Sequence, residues 1–304
     1  MIVKLSRTAI MVLSVVSMLC TGCTAPSYEA LDDSSVRAEE DSSAVIEEDS
    51  SALLSPTLID GLRGQAWHVA PEVYYYKYKE PSVMEDTGVF YGVNVGFTSR
   101  YWVPASPEEA PWESKWMGRA EGRFAYGQVD YDGATWGGTP LTINNIEQYV
   151  LEGRLLLGPD FPSETSMLTV FTGIAYRYFH DDTSFYVGGY ERESNYLYLP
   201  LGLEMLAQLN EGWSWGASVE FDVFLWGLQK SRLSDAGGAD VDNRQNNGYG
   251  ARASAKLQKQ GDKVDLIIEP FIRYWDIGQS EIEMGVLEPK NYTVEAGIQL
   301  VLVF

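Results

Sequence analysis

Apolar residues recur at every second position in about ten segments of this chain from Gln65 onward. A two-residue period predicts β-strands with one apolar face and one polar face. Each segment is long enough for a tilted membrane strand of roughly 9–11 residues. The clearest segments cover residues 89–98, 118–126, 148–157, 196–205, 215–223, 249–257 and 264–274. The pattern therefore predicts an all-β fold for this part of the chain.

The final segment, from Tyr292 to Phe304, has the most regular pattern. Every second residue counted back from Phe304 is apolar, and the intervening positions become polar or small before Val301. A last strand that ends on Phe resembles the C-terminal assembly signal of bacterial outer-membrane β-barrels, although a strand of a soluble sandwich is an alternative. The resemblance implies recognition by the barrel-assembly machinery. The positions that carry it are Tyr292, Ile298, Leu300, Leu302 and Phe304.

The opposite face of the predicted strands carries charges of both signs. Because side chains fill most of the lumen in barrels of about eight strands, and because an unpaired buried charge costs several kcal/mol, the sequence predicts a cross-braced ionic network inside the barrel. A narrow water or ion path through the same charges is the alternative. The predicted network comprises Arg119, Glu121, Arg123, Glu152, Arg154, Arg177, Glu204, Glu220, Asp222, Arg252, Lys256, Glu269 and Arg273.

The connections between segments alternate in length. Short ones cover residues 159–164, 210–212 and 259–263, and longer ones cover residues 132–145, 181–195, 228–247 and 278–291. This alternation resembles the periplasmic turns and extracellular loops of outer-membrane barrels. Aromatic residues near both ends of the strands predict two girdles, with Trp116, Trp213 and Trp215 in the periplasmic one and Tyr126 and Tyr274 near the other.

These features predict a transmembrane, antiparallel, up-and-down β-barrel over residues 61–304, with about ten strands and with eight or twelve as alternatives. In hydrocarbon every backbone polar group must be paired within the protein, and antiparallel strands achieve this only by closing into a barrel. An even strand number places both termini at one end. We therefore expect a location in the outer membrane of a Gram-negative bacterium, with a periplasmic N-terminus and extracellular long loops.

The first 22 residues read as an export signal. Lys4 and Arg7 precede a short apolar run that is too short to be a spanning helix. The following Thr21-Gly22-Cys23 resembles a lipoprotein processing box, which implies that Cys23 is acylated and becomes the first residue of the mature protein. Cleavage near Ala25 without a lipid is the alternative.

Residues 23–60 form an acidic, Ser-rich segment with an eight-residue repeat that begins at Asp33, Asp41 and Asp49. Its like charges and lack of aromatic residues after Tyr28 predict a disordered linker. The formal net charge of the whole chain is −21, and loss of Lys4 and Arg7 brings it to −23 (−21 − 2). This acidity excludes nucleic acid as an expected partner. Outer-membrane lipid and lipopolysaccharide, bridged by divalent ions, are the expected partners.

Candidate chemistry is sparse. Asp130 and Asp132 follow the third strand, and His180, Asp181 and Asp182 follow the fifth. Carboxylates and a His–Asp pair facing one cleft can activate water, and this set resembles that of the omptin proteases, except that the order here is His-Asp-Asp. The same four aspartates suit Ca²⁺ in principle.

We expect no catalytic residue, metal or cofactor in this protein. The sequence favours a structural or surface-interaction barrel. A narrow pore and an omptin-like protease are the alternatives.

Overall fold

The structure is a computed structural model that describes residues 64–103, 114–135 and 137–304. The predicted signal peptide, Cys23 and the acidic linker lie outside the described residues. Within these ranges, no helix is long and apolar enough to cross a membrane. The strands are β1 (Gln65–Glu80), β2 (Met84–Val103), β3 (Ser114–Ala134), β4 (Pro140–Pro162), β5 (Ser166–Asp182), β6 (Glu191–Gln208), β7 (Trp213–Ser231), β8 (Val241–Gln245), β9 (Gly248–Lys259), β10 (Asp265–Ile277) and β11 (Asn291–Val303).

Ten of these strands form a closed antiparallel ring. Each strand pairs with its neighbour in the chain, β7 pairs with β9, and the ring closes where β1 pairs with β11. Reciprocal backbone hydrogen bonds between Trp67 and Phe304 extend this seam to the C-terminal residue. The short strand β8 pairs with the end of β7 and lies outside the ring. The predicted ten-stranded, up-and-down barrel is therefore confirmed.

The two faces of each strand have opposite characters. On β1, Trp67, Val69, Val73 and Tyr75 are exposed on the outer face, whereas the intervening residues from Ala70 onward are buried inside. The step from Trp67 to Tyr75 spans roughly 26 Å along the strand at about 3.3 Å per residue. A strand tilt of about 35–45° reduces this length to a height of roughly 20 Å, which covers most of the apolar membrane band of about 25 Å. The outer surface is therefore suited to hydrocarbon.

The two ends of the barrel differ. We call the end that holds the start of β1 and the end of β11 the terminal end, and the opposite one the hairpin end. Exposed aromatic residues collect at the terminal end, where Tyr101, Trp116, Trp213 and Trp215 lie at the outer margin of the apolar band. At the hairpin end the outer face becomes charged, as shown by the pairing of Lys77 and Lys79 with Glu85.

Two of the predicted long loops are shorter than the sequence suggests. β4 begins at Pro140 and β6 begins at Glu191, so the connections comprise residues 135–139 and 183–190. The strands continue past the apolar band as hairpins whose outer face is polar, and this removes the hydrophobic alternation that marks a strand in the sequence. A register shift between Val129 and Tyr131 lies in the first of these extensions.

Candidate functional site

The lumen is the candidate functional site, and all thirteen predicted network residues point into it. They lie on the inner faces of β3, β4, β5, β6, β7, β9 and β10 and form two groups at different heights. The group near the terminal end lines a cavity, and the group at mid-height joins side chains from opposite sides of the lumen.

Three cations and four carboxylates of the predicted network form the group near the terminal end and line part of the cavity there. Arg119 donates two hydrogen bonds of 3.2 Å to Glu204, and Lys256 donates to the same carboxylate at 2.8 Å. Arg154 pairs with Glu121 at 3.0 Å and also with Glu220. Glu269 accepts a hydrogen bond from Gln299. The cavity has a volume of about 230 Å³.

The mid-height group is centred on two carboxylates that the sequence analysis did not include. Glu295 of β11 accepts hydrogen bonds from Arg123 at 2.9 Å, Arg177 at 2.8 Å and Arg273 at 3.1 Å. Glu72 of β1 accepts from Arg123 at 2.7 Å and from Arg273 at 2.8 Å. Strand alternation places both carboxylates on inner faces, and that signal was available in the sequence.

Arg252 completes the mid-height group on the other side of the lumen. It donates to Asp222 at 2.9 Å and to Glu152 at 2.6 Å, and Arg123 lies 3.8 Å from the same Glu152. Four arginines thus face four carboxylates in this group. Because every carboxylate touches at least one guanidinium and the charges balance, the group can exclude water without leaving a net buried charge. Its members are Glu72, Arg123, Glu152, Arg177, Asp222, Arg252, Arg273 and Glu295.

An aromatic layer covers the ionic group on the side of the hairpin end, and the sequence analysis did not predict it. Rings from distant strands meet inside the barrel, as Tyr76 and Phe179 do at 5.9 Å and Tyr198 and Trp275 do at 4.9 Å. Arg252 lies 5.4 Å from the Tyr198 ring centre, within the range of a cation–π contact. The layer comprises Tyr74, Tyr76, Phe90, Phe179, Tyr196, Tyr198, Phe224 and Trp275.

The aspartates and the histidine considered for hydrolysis do not converge. Asp130 and Asp132 lie on the exposed outer face of β3, and Asp130 accepts the backbone N–H of Asn145 at 3.1 Å. His180 also lies on the outer face, stacked on Tyr149 and 3.1 Å from Glu191, whereas Asp181 points inward. These residues therefore do not form one cleft.

Two further polar side chains make local contacts. The inward-facing His68 lies 3.2 Å from Asn94. Asp182 accepts the backbone N–H of Ser184 at 2.9 Å in the β5–β6 turn. In the described ranges of the chain, no group of three or more His, Cys, Asp or Glu side chains is placed to hold a metal ion.

The residues of the predicted assembly signal share one surface. Tyr292, Ile298, Leu300 and Leu302 follow one another on the outer face of β11, next to the seam with β1. Phe304 is about half exposed, and its backbone pairs with Trp67. The outer face of β11 is therefore apolar next to the seam where the barrel closes.

Comparisons with known proteins support the fold. Neither a protein-family model nor the sequence of a curated protein matches this chain. Among solved structures, the outer membrane protease OmpT from Escherichia coli is similar with a TM-score of 0.52 and 10% identity over 79% of this chain and 96% of that chain. The translocator domain of the autotransporter NalP from Neisseria meningitidis has a TM-score of 0.40 and 12% identity, covering 80% of this chain and 88% of its own.

Neisserial surface protein A gives a TM-score of 0.31 and 10% identity, covering 78% of this chain and 97% of that one. The chain thus has the fold of bacterial outer-membrane β-barrels. A shared fold at this low identity does not indicate a role, so the role must be argued from the lumen and the surface.

Proposed function

We propose that this protein is an outer-membrane barrel with a structural or surface-interaction role and a closed lumen. The observation that carries the proposal is the pair of consecutive blocking layers, the balanced ionic group at mid-height and the aromatic layer above it. An ion crossing the lumen would have to separate paired charges such as Arg123 and Glu295 in a water-poor interior, which costs several kcal/mol. The cavity of about 230 Å³ lies among the ionic residues nearer the terminal end, and in a closed lumen it is a blind vestibule.

The hairpin end supports the interaction role. Apolar side chains at the tips of two connections are largely exposed, namely Phe185 and Val187 between β5 and β6, and Ile282 and Met284 between β10 and β11. Exposed apolar groups on loops are typical of contact surfaces. We therefore place the hairpin end outside the cell and the terminal end in the periplasm, with lipid and lipopolysaccharide around the apolar band.

The terminal strand is proposed to be read by the barrel-assembly machinery. The apolar outer face of β11 from Tyr292 to Leu302 and the half-exposed Phe304 support this role. Strand pairing uses main-chain groups, and alternate side chains can add specificity. The pairing of β1 with β11 closes the ring.

A conductance measurement tests the closed lumen. Full-length protein inserted into planar bilayers should give no resolved ion steps, because both layers block the path. The double substitution Tyr198→Ala and Trp275→Ala removes two rings that meet across the lumen and should raise the leak current. Discrete steps from the unaltered protein would contradict the closed lumen and favour a pore.

The predicted lipid anchor has its own test. We expect mass spectrometry of the mature protein to find an acylated N-terminal Cys23, because Thr21-Gly22-Cys23 resembles a lipoprotein processing box. Cys23→Ser should abolish the acylated species. Cys20→Ser, three residues earlier in the predicted signal, is the matched control and should leave acylation unchanged. A wild-type N-terminus at Pro26 without a lipid would show that the anchor is absent.

A further inference from the structure

Four buried carboxyl groups meet at the hairpin end of the lumen, beyond the aromatic layer. Glu80 comes from β1, Asp86 from β2 and Asp181 from β5, while Glu288 comes from the connection between β10 and β11. Their exposed fractions are 4%, 2%, 1% and 6%. We call this set the acidic cluster. It lies past the end of the outer apolar band, where Lys77, Lys79 and Glu85 occupy the outer face.

Among the residues that the structure describes, one guanidinium contacts the acidic cluster. Arg192 of β6 donates to Asp181 at 2.7 Å and to Glu80 at 3.1 Å. The other titratable groups packed here, Tyr78, Tyr131, Tyr190 and Tyr196, are phenols that stay neutral over the physiological range. With all four carboxyls ionised, the cluster would hold three more negative charges than positive ones. Such an imbalance in a buried site requires a bound cation or proton.

Two buried acceptors in the cluster lack a donor. Gln148 of β4 is fully buried, and its Nε2 donates to Asp86 Oδ2 and Asp181 Oδ1, each at 3.1 Å. Its Oε1 and the other oxygen of Asp86 have no hydrogen-bond partner. A buried acceptor without a donor is costly. A proton on the Asp86 carboxyl supplies a donor and removes a charge at the same time.

Residues 278–290 join β10 to β11, and we call this segment the mouth loop. Glu288 belongs to both the mouth loop and the acidic cluster. The Tyr78 hydroxyl lies 2.9 Å from Glu80 and 3.4 Å from Glu288. The Asn243 side chain donates to two mouth-loop carbonyls, those of Glu281 and Val286, at 3.1 and 3.0 Å. Gln245 and Asn246 also donate to the loop, to the Gly278 carbonyl and the Glu281 carboxylate. Uncharged donors of residues 243–246 therefore hold one side of the loop, and Glu288 adds an acidic contact that faces other carboxyls.

We propose that the acidic cluster binds protons and that the mouth loop is a lid that these protons hold shut over the lumen. The proton is favoured over a metal ion because no group of three or more acidic or His side chains in the described ranges is placed to hold a metal. The inference goes beyond the proposed function and does not depend on whether the lumen conducts.

The direction of the pH effect follows from the pKa values of two carboxyl groups in the acidic cluster, those of Asp86 and Glu288. Burial, and then the nearby Asp181, raises the pKa of Asp86 to about 8. Burial, and then the nearby Glu80, raises the pKa of Glu288 to about 8. In the open state both groups meet water and regain ordinary pKa values of about 4. The docked loop therefore binds protons more tightly than the open loop, so docking is strongest below about pH 4 and weakens as the pH rises through about 8.

Hydrogen exchange followed by mass spectrometry of the full-length protein in detergent tests the lid. After correction for intrinsic exchange rates, protection of the mouth loop should fall by at least about tenfold between pH 6 and pH 9. Glu288→Gln and Asp86→Asn replace the charge with a neutral group of similar size, so each should keep more protection at pH 9. Glu283→Gln changes an exposed acid of the same loop and should leave the pH response as in the wild type.

Two results would overturn the proposal. Equal mouth-loop protection at pH 6 and pH 9 would show that protons do not control docking. Restoration of protection at pH 9 by added Ca²⁺ or Mg²⁺, and its loss with a chelator, would assign the site to a metal ion. Protection of β1 and β11 serves as the internal reference, because a fall there would report unfolding of the barrel rather than opening of the lid.

Discussion

Glu295→Gln should lower the free energy of unfolding of the refolded barrel by about 3–5 kcal/mol, the range for breaking a buried ionic pair from one side. Glu295 is fully buried and accepts hydrogen bonds from Arg123, Arg177 and Arg273. Gln keeps the volume of the side chain but removes the charge, so three guanidiniums lose a common counter-ion. In the variant Glu72 remains as a counter-ion of Arg123 and Arg273, but its single charge balances only part of the positive charge of the three guanidiniums. Urea unfolding in lipid vesicles, followed by tryptophan fluorescence, measures the loss.

Glu85→Gln is the matched control for this substitution. Glu85 also pairs with more than one cation, Lys77 and Lys79, but on the outer face at the hairpin end. Ion pairs that water can reach contribute about 0–1 kcal/mol, so the control should unfold almost as the wild type does. If Glu295→Gln cost no more than Glu85→Gln, the mid-height group would have to be hydrated, and the closed lumen would lose its main support.

Strand alternation made most of the barrel wall predictable. A charge such as Glu152 between Leu151 and Gly153 can face only one side of a strand, so its inward position follows from the apolar outer face. The same rule assigns Glu295, which alternates with Val294 and Ala296. The thirteen network residues could be placed on the inner face for this reason. Their pairing could not be predicted, because it depends on how strands far apart in the chain are staggered around the ring.

The aromatic layer and the acidic cluster were harder to predict for two physical reasons. On β1 the run Tyr74, Tyr75 and Tyr76 is aromatic on both faces, so composition does not show that Tyr74 and Tyr76 point inward. Beyond the apolar band both faces of a strand are polar, and alternation no longer distinguishes a strand from a loop. Glu288 and Asp86 lie in that region, and only the folded chain brings them together.

Gly297→Ala should prevent stable closure of the barrel, at a cost of about 3 kcal/mol or more, the upper range for overpacking. Gly297 lies on β11 opposite Tyr74 of β1. A Cβ at this position would clash with the Val73 carbonyl oxygen and with the Tyr74 Cβ. A backbone atom cannot rotate away, so the seam between β1 and β11 must widen. Glycine in a strand is typical of such close approach.

The matched control is Gly122→Ala on β3. Gly122 is also a strand glycine, but it lies on the outer face, and the nearest atom to an added Cβ would be a Val95 methyl at 3.9 Å. Both substitutions reduce the freedom of the unfolded chain in the same way, so the difference between them isolates the crowding at the seam. Unboiled samples on gels should show the folded band for Gly122→Ala and little of it for Gly297→Ala. Equal folded bands would mean that the seam between β1 and β11 can widen without preventing closure. Close backbone contact at Gly297 would then not be needed for a stable barrel.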